Sequence, residues 1–258
     1  APAFLMVAVG LAAPLPLLGC DGDAGATGDW DEVTVPGGAF AMGCNDAVDT
    51  NCDSDEWPQH TVEVPGFAID RTETTAARYA AFLSAHGNTC GGELCVNDWG
   101  GIKPLPVVET AGQWAARDGL AARPMTGVTW FGADAFCAWD GRALCTEAQW
   151  EKAARGGCET QSGNCLTTTR TAPWGEDQAD CTLTVMHGPS GPGCNTDAPM
   201  NVGSKPAGAS VYGAVDLVGN VWEWVADGYH NSFQGAPTDG SAWVGSGPDL
   251  RVLRGAGA

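Results

Sequence analysis

Eleven cysteines set at short intervals constrain this 258-residue chain more than any other feature. None stands in a Cys-x-x-Cys pair, and His60, His86, His187 and His230 are scattered singly, so zinc is not the expected ion. Local disulfides fit the spacing better. Cys44 with Cys52, Cys90 with Cys95, Cys158 with Cys165, and Cys181 with Cys194 each close a short loop, as in exported proteins. Cys137 near the end of one predicted helix and Cys145 just before the next can bridge that corner, a pair of buried thiols being the alternative. Setting Cys20 aside leaves an even number, which suits a fully paired framework.

Cys20 stands apart because of what precedes it. Residues 3–18 form an apolar run, broken by Pro14 and Pro16, that ends in Leu17-Leu18-Gly19-Cys20. A small residue and then cysteine after such a run resembles a bacterial lipoprotein signal, in which the cysteine is lipidated. The run is too short and too interrupted to span a bilayer well. Residues 1–20 are therefore expected to be a signal segment, here without its basic leader, and an ordinary cleaved signal peptide is the alternative. Either way the protein is exported, and with Cys20 lipidated it is held at the cell envelope. Residues 21–32 read as a flexible acidic tether of Gly, Ala and Asp, and residues 33–258 as one folded domain.

Charged residues are only 17% of the chain, against 37 glycines and 11 tryptophans, which points to a loop-rich body packed around aromatics, low in regular secondary structure. The formal charge of -19 argues against nucleic acid and against an anionic membrane face. Helices are expected over 74–86, with Gly87 just past the end, over about 132–139, and after Thr146. There, Thr146 and Gln149 have capping-box spacing, with Gly156-Gly157 closing the segment. Residues 88–122 read as an irregular insertion. No fixed-period repeat is present, and a monomer is expected.

Residues 216–224 read Asp-Leu-Val-Gly-Asn-Val-Trp-Glu-Trp. If 221–225 is extended, Trp222 and Trp224 share one face and Glu223 points to the other. Hard cations such as calcium take carboxylate and carbonyl oxygens. Asp216 and Glu223 can supply side chains, and Gly219 and Val221 carbonyls. A short acidic turn that binds nothing, its tryptophans serving as core, has the same pattern.

Several blocks then occur in order: Gly37-Gly38-Ala39-Phe40-Ala41-Met42-Gly43, Arg71-Thr72-Glu73-Thr74-Thr75 followed by Tyr79, Gly127-Val128-Thr129-Trp130, Leu144-Cys145-Thr146-Glu147-Ala148-Gln149-Trp150-Glu151, Pro173-Trp174-Gly175, Tyr212-Gly213, Gly219-Asn220-Val221-Trp222-Glu223-Trp224 and Arg251-Val252-Leu253-Arg254-Gly255. Together they resemble the formylglycine-generating enzyme, or sulfatase-modifying factor, family. The resemblance implies a single α+β domain of C-type lectin-like type, with calcium at Asp216, Gly219, Val221 and Glu223 and a second calcium at Asp180 and the Cys181 carbonyl.

Family oxidases convert a sulfatase cysteine to formylglycine with oxygen and a copper ion held by two cysteines. Those cysteines lie beyond the Arg-Val-x-Arg-Gly-Gly-Ser block, and this sequence ends at Ala258. Gly257 stands in the position of the family's serine, and Trp222 matches the tryptophan of its oxygen pocket. Cys145 replaces a usual proline, in keeping with a bridge to Cys137. No catalytic residue is assigned. The expectation is a calcium-binding family member without oxidase activity in the chain as given, whose partner is a sulfatase-like protein or a glycan. The alternative is the copper-dependent oxidase, should the gene supply the cysteine pair further on. The family's sulfoxide synthases, which need a separate histidine-rich iron domain, are set aside.

Overall fold

A computed structural model describes residues 31–45, 52–98, 100, 104–161, 170–245 and 250–255, with short backbone stretches at Leu5–Met6 and Ala8–Gly10. Cys20 and residues 21–30 of the expected 21–32 tether lie outside the described residues, while Asp31 pairs with Arg71 and Glu32 opens the strand Glu32–Val35.

Three capped helices carry the longest-range packing. Helix α1 (Ala76–His86) starts where the Thr75 side chain accepts a bond from the Arg78 backbone N–H, and stops at Gly87, whose φ of 82° a residue with a Cβ adopts poorly. Its buried residues Ala76, Tyr79, Ala80, Phe82 and Leu83 recur at helical spacing, so one stripe faces inward. Helix α2 (Trp130–Trp139) is capped by Thr129, and α3 (Glu147–Arg155) by the reciprocal Thr146–Gln149 box expected from the sequence. Gly132 is where α2 comes closest to its neighbours, since a Cβ there would lie 2.0 Å from the Cys95 carbonyl oxygen and 2.6 Å from the Tyr79 hydroxyl.

The strands are short and mostly antiparallel. Gly38–Met42 pairs with His60–Val64, and Glu32–Val35 with Phe67–Asp70. Trp222–Gly228 pairs with Arg251–Gly255, the register shifting between Trp224 and Gly228. Of the amino-terminal stretches, Leu5–Met6 runs parallel to Trp222–Gly228, and Ala8–Gly10 lies between Phe67–Asp70 and Ala143–Leu144. The insertion expected to be irregular contains a hairpin, Val107–Thr110 with Gln113–Ala116. Its two-residue turn, Ala111-Gly112, has φ of 53° and 81°, a mirror-image turn built without the asparagine or aspartate that usually announces one.

Two buried clusters make up the core of this α+β domain. One joins α1 and α2 through the mutually packed rings of Tyr79, Phe82 and Phe136. The other gathers Val35, Phe40, Val62, Ile69, Trp150, Leu217 and Val225 around α3. Disulfides close Cys44–Cys52, Cys90–Cys95 and Cys181–Cys194 as expected. Cys158 is also disulfide-bonded, and its expected partner Cys165 lies outside the described residues. The expected Cys137–Cys145 bridge is corrected. Both are buried thiols, because Cys137 packs into the α1–α2 cluster and Cys145 into the one around α3.

Candidate metal centre and adjoining cleft

The 216–221 loop turns tightly, with positive φ at Asp216 (64°), Gly219 (89°) and Asn220 (58°). Gly219 cannot be replaced without movement, since a Cβ would meet Thr184 Oγ1 at 2.1 Å. The loop feeds the strand Trp222–Gly228, where alternation separates the two tryptophans from Glu223. Glu223 turns out to be on the inner face, 1% exposed, while Trp222 is 38% exposed. Trp224, half-buried, packs against the α1–α2 cluster and donates through its indole N–H to the Val128 carbonyl at 3.0 Å.

Behind the loop three carboxylates are buried within electrostatic reach of one another. Asp216 is 7% exposed and accepts from the Gly203 backbone N–H. Glu223 accepts from the Trp150 indole N–H at 2.6 Å. Glu73, just ahead of α1 and 2% exposed, accepts from the Asn220 amide at 2.6 Å and the Val221 backbone N–H at 3.2 Å. Burial, then the negative charges of Asp216 and Glu223, hold the Glu73 carboxyl well above the usual range. Burial pushes Glu223 up to about 8 against the bond from Trp150, and raises Asp216 against the bond from Gly203. No cation is among the leading influences on any of the three.

The carboxylates of Asp216 and Glu223 are the kind of oxygen donor that a hard divalent cation takes, although the ligand oxygens of Glu73, Asp216 and Glu223 do not all lie within 4.8 Å of one another. The second expected site, at Asp180 and the Cys181 carbonyl, is occupied by other partners. Lys205 Nζ donates to the Cys181 carbonyl, while Asp180 is exposed and bound to the Thr182 backbone and hydroxyl. A cationic side chain thus sits where the second calcium was expected, which corrects that assignment. His86, Cys90 and Cys95 bring ligand atoms within 4.8 Å of one another, but both sulfurs are in a disulfide.

Trp150 connects the carboxylates to a surface cleft. Its edge binds Glu223, and the Arg254 guanidinium lies 5.1 Å from its ring centre. Arg254 donates to Glu151 at 2.7 Å and to Glu147 at 3.4 Å. Glu151 also accepts from the Gly43 N–H and from Arg155, both at 2.8 Å. Burial works to raise Glu151, but Arg254, Arg155 and the Gly43 bond outweigh it and hold the carboxyl below its usual range. Beyond Arg254 the cleft, of about 250 Å³, is walled by Trp222, Tyr229, His230, Trp243, Glu56 and Asp53. His230 stacks on Trp243 with centroids 3.6 Å apart. Gly257 lies outside the described residues, while Gly255 packs beside Val221 and Trp150.

Sequence reasoning proposed Asp216, Gly219, Val221, Trp222 and Glu223. It missed Glu73, which lies far away in sequence, and the Glu147–Glu151–Arg254 network, whose members sit inside recognised blocks but carry no spacing signal.

Glu147 gives a pH prediction. Burial pushes it up to about 7, Arg254 pulling it down and Asp227 pushing it further up. The folded state therefore holds its proton more tightly than the unfolded chain, whose carboxylates titrate near ~4.3. Its contribution is fully present below the unfolded value and is lost as pH rises through about 7. Urea unfolding of chelated protein from pH 4.5 to 8 is expected to show stability falling with pH, with a shallower fall in Glu147→Gln. Equal slopes would mean that Glu147 does not carry the pH dependence.

The sulfatase-modifying factor enzyme 1-like domain matches residues 24–257. Hercynine oxygenase of Mycolicibacterium smegmatis is 33% identical over 224 residues, which cover 83% of this chain and 48% of that protein. Formylglycine-generating enzyme of Mycobacterium tuberculosis is 32% identical over 236 residues, covering 77% of this chain and 74% of that one. The chain thus spans about half the length of the hercynine oxygenase it matches. The structure of PvdO from Pseudomonas aeruginosa superposes with a TM-score of 0.64 at 28% identity, covering 88% of this chain and 81% of the other.

Proposed function

The chain belongs to the sulfatase-modifying factor enzyme 1-like family, and from that premise we propose that it is an exported, calcium-stabilised binding domain that receives its ligand in the cleft between Trp222 and Arg254. The observation that supports calcium most directly is the buried trio Glu73, Asp216 and Glu223, which has no cation among the leading influences on it within the described residues. Burying ionised carboxylates unpaired is costly, and a divalent cation offsets that cost. Asp216 and Glu223 would hold it with side-chain oxygens, and Gly219 and Val221 with carbonyls. The bound ion ties the loop to the strand that carries Trp222 into the cleft.

Binding is favoured over oxidation by a residue of the chain itself. Gly257, with no hydroxyl, stands where the family's oxidases have serine. Copper(I) requires soft thiolates, and the described residues offer none at the cleft. Cys44 lines an adjoining pocket but is bonded to Cys52, and Cys137 and Cys145 are buried in the core. None of the described residues is assigned an oxidative step, and since the resemblance implies the copper pair beyond Ala258, these cysteines do not weigh against the oxidase. Similarity does not select a chemistry either, since the oxygenase and the formylglycine-generating enzyme match at 33% and 32% identity.

The cleft's aromatic walls and acidic rim suit a glycan or a peptide segment of a sulfatase-like protein, with polar groups fixing orientation over apolar faces. The disulfides accord with an oxidising compartment, and Cys20 is the proposed lipid anchor at the cell envelope. The second reading is the copper-dependent oxidase, favoured by Trp222 opening on the cleft beside Arg254. The protein as its gene encodes it, loaded with calcium, is to be screened on glycan and peptide arrays. It is also to be assayed with copper for conversion of a sulfatase-peptide cysteine. A ligand lost in Trp222→Ala, with no formylglycine product, is expected, and product formation would reverse the reading.

A further inference from the structure

Both carboxylate oxygens of Glu73 are taken by the loop that would carry the cation's carbonyl ligands. Oε2 accepts from the Asn220 side-chain amide and Oε1 from the Val221 backbone N–H. The other end of the same amide is also engaged, since Asn220 Oδ1 accepts from the Met200 backbone N–H at 2.8 Å. The Asn220 backbone N–H donates to the Val185 carbonyl at 2.8 Å. The loop thus has two consecutive residues at positive φ, Gly219 and Asn220, held by groups from three separate segments.

Building on the calcium reading above, we infer that Glu73 is a positioning residue of the cation site, holding the Asn220–Val221 turn and with it the direction of the Gly219 and Val221 carbonyls. It is not a ligand, because its oxygens already accept from Asn220 and Val221. Glutamine in its place leaves every proposed ligand intact but has a single acceptor oxygen, so one of the two bonds to the loop is lost. Cation affinity then falls for calcium and for a trivalent ion alike, since both need the same carbonyl geometry.

The test uses the full chain, stripped with chelator, as wild type and Glu73→Gln. Calcium is titrated by calorimetry, and terbium by emission sensitised through the neighbouring indoles, Trp150 among them. Glu73→Gln is expected to bind both calcium and terbium at least tenfold more weakly, and to show a smaller calcium-induced rise in melting temperature. Unchanged affinities would overturn the inference while leaving the calcium reading standing. So would a variant that melts lower in chelator yet keeps the full calcium-induced rise, since that marks a merely structural role. Wild type that binds neither ion would overturn both. Should Glu73→Gln fail to fold, Asn220→Ser, which removes one of the two Glu73 contacts, is read by the same criteria.

Discussion

On the proposed calcium site, chelation is expected to lower the melting temperature by about 5–10 °C relative to calcium at a hundred times its Kd. A ligand that binds only the native state at that excess contributes about 2.7 kcal/mol, and in a chain of this size each kcal/mol moves the midpoint by about 2–4 °C. The effect is site-specific because stripping the ion leaves Glu73, Asp216 and Glu223 facing one another in the interior. Asp216→Asn should abolish most of the calcium-induced rise. Asparagine tolerates the positive φ of that position nearly as well as aspartate, so the variant removes a charge with little backbone strain. Differential scanning calorimetry with and without chelator reads both. A midpoint indifferent to chelation would count against the ion.

The second large effect comes from the cleft. Arg254→Ala costs about 3–5 kcal/mol, the range for breaking a buried ion pair by removing one partner. The pair is enclosed: the Arg254 side chain is 19% exposed and that of Glu151 2%. Without Arg254, Glu151 keeps Arg155 and the Gly43 N–H, while Glu147 loses the cation that draws its carboxyl down. Arg251 is the natural control. It lies 3.7 Å over the Trp130 ring and makes a long bond to the Ala226 carbonyl at 3.3 Å, a contact worth about 1 kcal/mol. Urea unfolding should rank Arg254→Ala well below Arg251→Ala. Equal losses would mean that the charge network contributes little.

What the sequence made legible follows from how local each signal is. Thr146 caps its own helix through a box closed within three residues, so that start was readable, whereas the helices expected over 74–86 and about 132–139 begin at Ala76 and Trp130 behind the single-residue caps Thr75 and Thr129. The short-loop disulfides at Cys44, Cys90 and Cys181 were readable for the same reason. Cys137 and Cys145 are just as close in sequence, yet spacing cannot say which core each side chain enters, and they enter different ones. The Ala111-Gly112 turn carries no asparagine, so its hairpin was hidden.

The candidate site divides in the same way. Asp216 and Glu223 lie within one short segment and were proposed together, whereas Glu73 meets Asn220 across 147 residues. Lys205 reaches the Cys181 carbonyl across 24 residues, at the place where the family resemblance implied a second calcium. In both cases the deciding partner is brought in by the fold, and no one-dimensional spacing records it.

The most direct test of the cation site is calorimetric titration of calcium into chelated wild type and into the double variant Asp216→Asn, Glu223→Gln. Saturable binding of at least one calcium per chain is expected in the wild type, with that binding lost in the variant. A wild type that takes up no calcium, or a double variant that binds it equally well, would contradict the claim that these buried carboxylates form a cation site.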